Sequence, residues 1–275
     1  MDSPVYVQMN SPFLIESKKL KNIYDMSFFH YHNAYEIYYQ IQGERNYFIE
    51  NKVFYIRKGD VIFIKMNDLH RSLHCPKNNL YYKRIAINFK PEFFQPLAEI
   101  NESDNLLKME SGVFHLDSEK GSIVEKMISH MLTEQERRPL HSELYIRTLL
   151  LQLLVILNRS TSQLNVQEKP DNKNILNIAK YLSENYQQKI TLSQLGRNFF
   201  LSESYLSRSF KQVTGVNIIS YLNVLRVKQA QELLSETNKT ITEIAYSVGY
   251  ENLTHFERVF KSVTALSPLK YRKLN

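Results

Sequence analysis

The sequence predicts a two-domain α+β chain: an N-terminal antiparallel β-barrel with following helices, then an all-helical C-terminal domain. Three observations carry this. Residues 28–90 are crowded with short runs of β-branched and aromatic residues. After about residue 120 the apolar positions take up helical spacing. An eleven-residue stretch of the helical part is then written twice, fifty residues apart. A chain of 275 residues suits one large domain or two medium ones with real cores.

The β-region contains "EIYYQI", "NYFI", "VFYI", "VIFI" and "RIAINF", separated by the turn signals Gln42-Gly43, Glu50-Asn51-Lys52 and Lys58-Gly59-Asp60. Many short strands at close spacing suit a small antiparallel barrel or sandwich, assigned here to residues 1–118. Residues 119–158 read as helices. "SELYIRTLLLQLLVILN" is apolar almost all round, so it belongs buried, against the barrel or against a second subunit. Residues 159–173, "RSTSQLNVQEKPDNK", are polar, contain Pro170 and read as a linker.

Residues 174–275 form the helical domain. Ile175, Ile178, Ala179 and Leu182 share one helix face, and "TLSQ" at 191–194 and "TITE" at 240–243 are capping boxes that open two short helices. Each precedes one copy of the repeat, "YLSRSFKQVTG" at 205–215 and "HFERVFKSVTA" at 255–265. Leu206, Phe210 and Val213 share one face of the first copy; Ser204, Ser207, Arg208 and Lys211 share the other. The second copy turns Phe256, Phe260 and Val263 inward and Thr254, Glu257, Arg258 and Lys261 outward, with Ser202 and Asn252 as N-caps. A short capped helix, a tight turn and a second helix with small polar and arginine side chains outward describe a helix-turn-helix, at about 191–214 and again at 240–264.

The chemistry suits a duplex. This domain carries 13 Lys/Arg against 7 acidic residues, whereas residues 1–173 are nearly neutral, with 22 against 21. Small hydroxyl side chains let the backbone approach the groove, and Arg208 or Arg258 can fork onto guanine. Lys211 and Lys261, one turn further along each helix, are placed for phosphate. "IISYLNVLRVKQAQELLS" at 218–235 reads as one uninterrupted helix, long enough to set two reading heads about one turn of DNA apart.

These residues resemble a known family. "LSESYLSRSFKQVTG" at 201–215, "YLNVLRVKQAQELL" at 221–234 and the run from "TITEIAYSVGY" at 240–250 to "SPLKYRK" at 267–273 are similar to the DNA-binding domain of AraC/XylS regulators. The resemblance implies that Ser204, Ser207 and Arg208 form one reader and Leu253, Thr254, His255 and Arg258 the other. It also implies a homodimer through residues 119–158, and RNA polymerase as a partner if the protein is an activator. Two positions depart from the family: Gly196 stands where alanine is usual and Ala265 where glycine is usual, each at a cost of about 1 kcal/mol.

The N-terminal half holds a second constellation. "HYHNAYEIYYQIQG" at 30–43 places His30, His32 and Glu36 before Gly43, and Gly59 is followed eleven residues later by His70. This spacing resembles the two cupin motifs, whose three histidines and one glutamate can hold a metal; Lys65, Asn67 and His74 depart from the usual turn residues. Two readings stand open. His30, His32, Glu36 and His70 bind a divalent transition ion, or with Tyr38 they are the polar lining of a small-molecule pocket, as in sensors of the resembled family. The expectation is the pocket, without cofactor. Tyr31, Tyr35, Tyr38, Tyr39 and Tyr47 lie among the histidines, and such walls suit a sugar.

The seven glycines lie too far apart for a dinucleotide or P-loop fingerprint, and no nucleophile elbow is present. The single cysteine, Cys75, excludes an intrachain disulfide, and neither signal peptide nor membrane span is visible. The reading is therefore a cytoplasmic, sequence-specific transcription regulator of double-stranded DNA, controlled by a small molecule and not an enzyme. A cupin metalloenzyme with a DNA-binding appendage is the alternative.

Overall fold

Among the described residues, ten strands fall into two five-stranded sheets. One has the order β1 (Val5–Val7), β3 (His30–His32), β8 (His70–Leu73), β5 (Arg45–Ile49), β6 (Lys52–Ile56). The other runs β10 (Gly112–Phe114), β7 (Val61–Ile64), β4 (Tyr35–Gln42), β9 (Tyr81–Phe89), β2 (Phe13–Lys21). This is a computed structural model describing residues 5–21, 29–73, 81–97, 106–160 and 170–274. Cys75 and His74 lie outside the described residues.

The expected antiparallel barrel thus takes the form of two facing sheets, among the described residues not paired into one cylinder, and β1 joins β3 in parallel. The remaining pairs are antiparallel. Between the sheets lie Tyr38, Tyr47, Ile49, Phe54, Ile56, Ile62, Ile64 and Val113, all buried. Strand alternation then sends Ile37 and Tyr39 of β4 to the outer face, with Phe63, Ile85 and Ile87.

That outer face is covered by α1 (Ser118–Arg137) and α2 (Ser142–Arg159). Asp117 caps α1 by accepting from Lys120 N at 2.8 Å, and Val124, Ile128 and Met131 bury one stripe. In α2 the residues Ile146, Leu149, Leu150, Leu153, Leu154 and Leu157 are buried against the sheet. The apolar character expected for this helix is therefore satisfied within the chain. Arg159 still belongs to α2 and residues 170–173 already belong to α3 (Pro170–Asn185), so the linker expected at 159–173 is shorter; its residues 161–169 lie outside the described residues.

The C-terminal domain continues with α4 (Leu192–Asn198), α5 (Glu203–Thr214), α6 (Ile218–Glu236), α7 (Ile241–Ser247), α8 (Leu253–Thr264) and α9 (Pro268–Leu274). Thr191, Ser202, Thr240 and Asn252 each accept a backbone N–H; of the two expected capping boxes, Thr240 with Glu243 closes in full, while Thr191 caps by its own side chain alone, with no return bond from Gln194 among the described residues. Leu206, Phe210, Phe256, Phe260 and Val263 are buried, and Val213 is half-buried. Each buried aromatic contributes about 1.5–3 kcal/mol.

The duplicated threonines have a structural task. Thr214 Oγ1 donates to Phe210 O at 2.6 Å and Thr264 Oγ1 to Phe260 O at 2.9 Å, and both accept from the backbone N–H two residues on. Each ties a helix end to the turn after it. Gly196 is explained by close approach rather than weakness: a Cβ there would stand 2.7 Å from Leu201 O.

Helix α6 spans 19 residues, about 28 Å. Arg226 anchors it, donating from Nε to Tyr186 O and from a terminal guanidinium nitrogen to Gln188 O, both at 2.8 Å.

Candidate DNA-reading helices and inter-sheet pocket

On α5, Ser204, Arg208 and Lys211 are exposed and Ser207 is half-exposed. On α8, Thr254, His255, Arg258 and Lys261 are exposed. Leu253 differs from the other reader candidates: its side chain is partly buried and packs on the domain core, which leaves little of it for a base edge. His255 lies edge-on to Tyr250, with ring centroids 5.5 Å apart. Both helices present small polar side chains followed by Arg and Lys at one-turn spacing, on a backbone fixed by an N-cap and a buried threonine.

The second constellation sits between the sheets. β3 and β8 bring His30 opposite His70, and β4 brings Glu36 from the facing sheet. One ligand-type atom from each of His30, His32, Glu36 and His70 lies within 4.8 Å of the others. His30 and His70 have ring centroids 4.1 Å apart, and His32 and His70 5.0 Å. Glu36 Oε2 lies 3.1 Å from His32 Nε2 and 3.6 Å from His70 Nε2, and accepts from Asn88 Nδ2 at 3.2 Å. Burial works to raise the Glu36 carboxyl, but the two histidines outweigh it and hold it well below the usual range. Burial, and then His70, hold the His30 imidazole well below its usual value and so neutral.

Sequence reasoning placed Tyr38 in this pocket. Its ring is fully buried between the sheets, but its hydroxyl donates to Gln40 Oε1 at 2.8 Å. Tyr47, edge-on to Tyr38 at 5.1 Å, stacks beside His70 at 6.3 Å, and its buried hydroxyl finds no partner among the described residues. Strand alternation removes the other three tyrosines from the interior. Tyr35 stacks on Phe63 and Phe89, Tyr39 packs under the helices, and Tyr31 points to the C-terminal domain.

That last contact joins the two halves. Tyr31 lies between His30 and His32 on β3, and its hydroxyl donates to Gln231 Oε1 on α6. Tyr221 of α6 donates to Glu50 O at 2.9 Å, and its ring meets Phe29 and Phe48. Lys228 Nζ donates to Glu50 Oε1 at 2.9 Å and stands 4.0 Å from Asp68. Burial opposes the ammonium, yet Glu50 and then Asp68 outweigh it and raise its pKa. Glu50 itself is held at φ 55, outside the usual range for a side-chain-bearing residue. None of Tyr31, Glu50, Asp68, Gln231 or Lys228 carries a sequence signal, because their partners lie about 160–200 positions away.

A domain of two helix-turn-helix units docked on a double sheet that encloses a buried cluster of three histidines and a glutamate has the architecture of a ligand-responsive regulator. The AraC-like ligand binding domain matches residues 21–167 and a helix-turn-helix domain matches residues 195–274. The chain belongs to the AraC family of transcription regulators. It is 28% identical over 253 residues to the HTH-type transcriptional activator RhaS of Escherichia coli O1:K1, covering 89% of this chain and 87% of that protein, and equally to RhaS of strain SMS-3-5. Among solved structures, the C-terminal domain of AraT, a response regulator from Geobacillus stearothermophilus, is 33% identical over 37% of this chain and 85% of that one, with a TM-score of 0.36. ToxT from Vibrio cholerae is 13% identical over 96% and 99%, with a TM-score of 0.40. RhaS is a transcriptional activator, and neither it nor the two matched domains supports the metalloenzyme alternative. No described helix is long and apolar enough to cross a membrane.

Proposed function

We propose that the protein is a transcription activator that reads two adjacent major grooves of double-stranded DNA and is switched by a small molecule, a sugar, held between the sheets. Ser204, Ser207 and Arg208 read one groove and Thr254, His255 and Arg258 the next, with Leu253 as an apolar contact at the edge; Lys211 and Lys261 hold phosphates. His30, His32, Glu36 and His70, with Tyr38 and Tyr47 as walls, form the effector site. The activator assignment draws on the similarity to RhaS, a transcriptional activator, and makes RNA polymerase a partner. Ile123, Leu140, Leu144 and Tyr145 stay exposed on α1, α2 and the turn between them, which supports a homodimer through this face. The protein works in the cytoplasm, where its DNA is.

One observation carries the switch. β3 alternates between the effector site, through His30 and His32, and the rod between the readers, through Tyr31. A ligand shifts an equilibrium only if it prefers one of its states. Displacement of β3 supplies such a preference, because it alters the seat of α6. The test is a titration of promoter DNA in the presence of a panel of mono- and disaccharides. One sugar should change affinity or half-site choice about tenfold in the wild type and have no effect in His32→Ala. A panel in which no sugar alters binding contradicts the sugar reading.

A further inference from the structure

We propose that the effector is a sugar acid, an aldonate or uronate, whose carboxylate is received by Arg84 and Tyr47 in the gap between the sheets. This rests on the effector-site reading above and names the chemical class that the site takes.

The gap is closed along one side and open along the other. At β6, β7 and β10 it is filled by Phe54, Ile56, Ile62, Ile64 and Val113. The opposite edge is β2, whose Phe13 and Ile15 pack under the helices. Strand alternation therefore turns Leu14, Glu16 and Lys18 toward the gap. These stay accessible: Leu14 is 43% exposed, and the side chains of Glu16 and Lys18 are 33% and 49% exposed. Arg84 of β9 stands opposite Lys18 in the ladder and so points to the same side, but it is buried. A buried guanidinium thus lies just inside a solvent-accessible edge.

Arg84 has capacity to spare. Its guanidinium lies over the Tyr38 ring, 5.6 Å from the centroid. Among the described residues it meets one carboxylate, Glu16, whose Oε1 accepts from Nη2 at 3.2 Å; a guanidinium has five N–H groups. Glu16 also has a cation of its own, because Lys18 Nζ stands 3.0 Å from its Oε2. An incoming carboxylate can therefore take Arg84 while Glu16 stays paired, and two cations against one carboxylate leave this edge positive.

Tyr47 supplies a second donor. Its hydroxyl is buried with no hydrogen-bond partner among the described residues, a costly state that a ligand oxygen relieves. Burial works against the Arg84 cation, but Glu36, and then Tyr38, Tyr47 and Glu16, outweigh it and raise its pKa. The guanidinium thus stays charged beside that phenol. Glu36 is ionised and only accepts, so it suits the hydroxyl groups of a ligand and not a second anion. Donors at one end and an acceptor at the other match a molecule that carries a carboxylate and several hydroxyls. A carboxylate fills the guanidinium fork with two parallel hydrogen bonds, which a neutral sugar cannot do. A doubly charged phosphate would bring more negative charge beside Glu36 and Glu16 than Arg84 and Lys18 offset.

The test is calorimetry on the full-length protein with three pairs of probes: D-galacturonate and D-galactose, D-glucuronate and D-glucose, D-gluconate and D-glucitol. In the wild type at least one acid should bind about 10-fold or more tighter than its neutral partner. Arg84→Gln should abolish that preference, and Tyr47→Phe should weaken the acid by about 5-fold. Glu16→Gln removes the competitor for Arg84 and should tighten the acid several-fold, a gain that a merely structural role does not give. Should Arg84→Gln fail to fold, Arg84→Lys, which keeps the charge and loses the fork, should show a reduced preference. Equal binding of acids and neutral partners in the wild type overturns the proposal, as does an undiminished preference in the Arg84 variants. A neutral sugar that alters promoter affinity, with no acid preferred, shows that this proposal fails while the regulator reading stands. An acid bound through Arg84 without effect on promoter affinity shows the reverse. No binding by any of the six probes overturns this proposal and the sugar reading together.

Discussion

At the scale of single residues, the two helix-turn-helix units share a design and spend their glycines differently. Both need a left-handed residue in the turn and another after the reading helix. The first unit has Phe200 at φ 56 and Gly215 at φ 84; the second has Gly249 at φ 92 and Ala265 at φ 61. Phe200 and Ala265 thus hold conformations that glycine adopts freely, and the Phe200 ring is 94% exposed. Phe200→Gly and Ala265→Gly should each raise stability by about 1 kcal/mol in urea unfolding. On the reading face, Arg208→Ala should cost about 1–3 kcal/mol and relax preference at one base pair. Lys211→Ala should weaken all sequences alike and flatten the salt dependence by about one counterion. A binding-site library separates the two; identical profiles would contradict the division into reader and phosphate anchor.

At the scale of elements, the decisive one is β3. It has only three residues, yet it presents two imidazoles to one side and one phenol to the other. Tyr31→Phe removes the hydrogen bond to Gln231 and keeps the ring packed against Tyr6. It should leave binding of the effector intact while reducing the effect of effector on DNA affinity by several-fold, measured as the ratio of the two dissociation constants. What could be read in advance follows the same physical line. Caps, helix periods and the repeat are local, so α4 to α8 were legible nearly residue by residue. The histidines of β3 and β8 were legible through spacing, but the tyrosines were not sorted, because a strand's register decides which alternate residues face inward. Tyr31, Tyr35 and Tyr39 turned out to serve three other surfaces.

At the scale of the whole molecule, the layers run from α1 and α2 through two sheets to the DNA-reading domain, and one hydrophobic cluster spans the junction. It joins Tyr6, Tyr31, Phe48 and Leu69 to Tyr221, Leu225 and Tyr271. Nothing local in the chain announces this docking, since it arises from partners far apart in sequence. Lys228, between Glu50 and Asp68, is its charged centre. Lys228→Ala leaves two carboxylates facing each other across a partly buried gap and should split the single thermal transition into two. The lysine's folded pKa is raised, so its contribution is complete below the unfolded value. It is lost only as pH rises through the folded one, above the ordinary lysine range. Melting curves at neutral pH should therefore show one transition in the wild type.

The central claim is that α6 sets two reading helices into successive major grooves. Hydroxyl-radical footprinting of a bound promoter tests it most directly. Each protomer should protect two adjacent helical turns, with Arg208→Ala erasing protection in one and Arg258→Ala in the other. Protection limited to one turn per protomer, unchanged by Arg258→Ala, would contradict it.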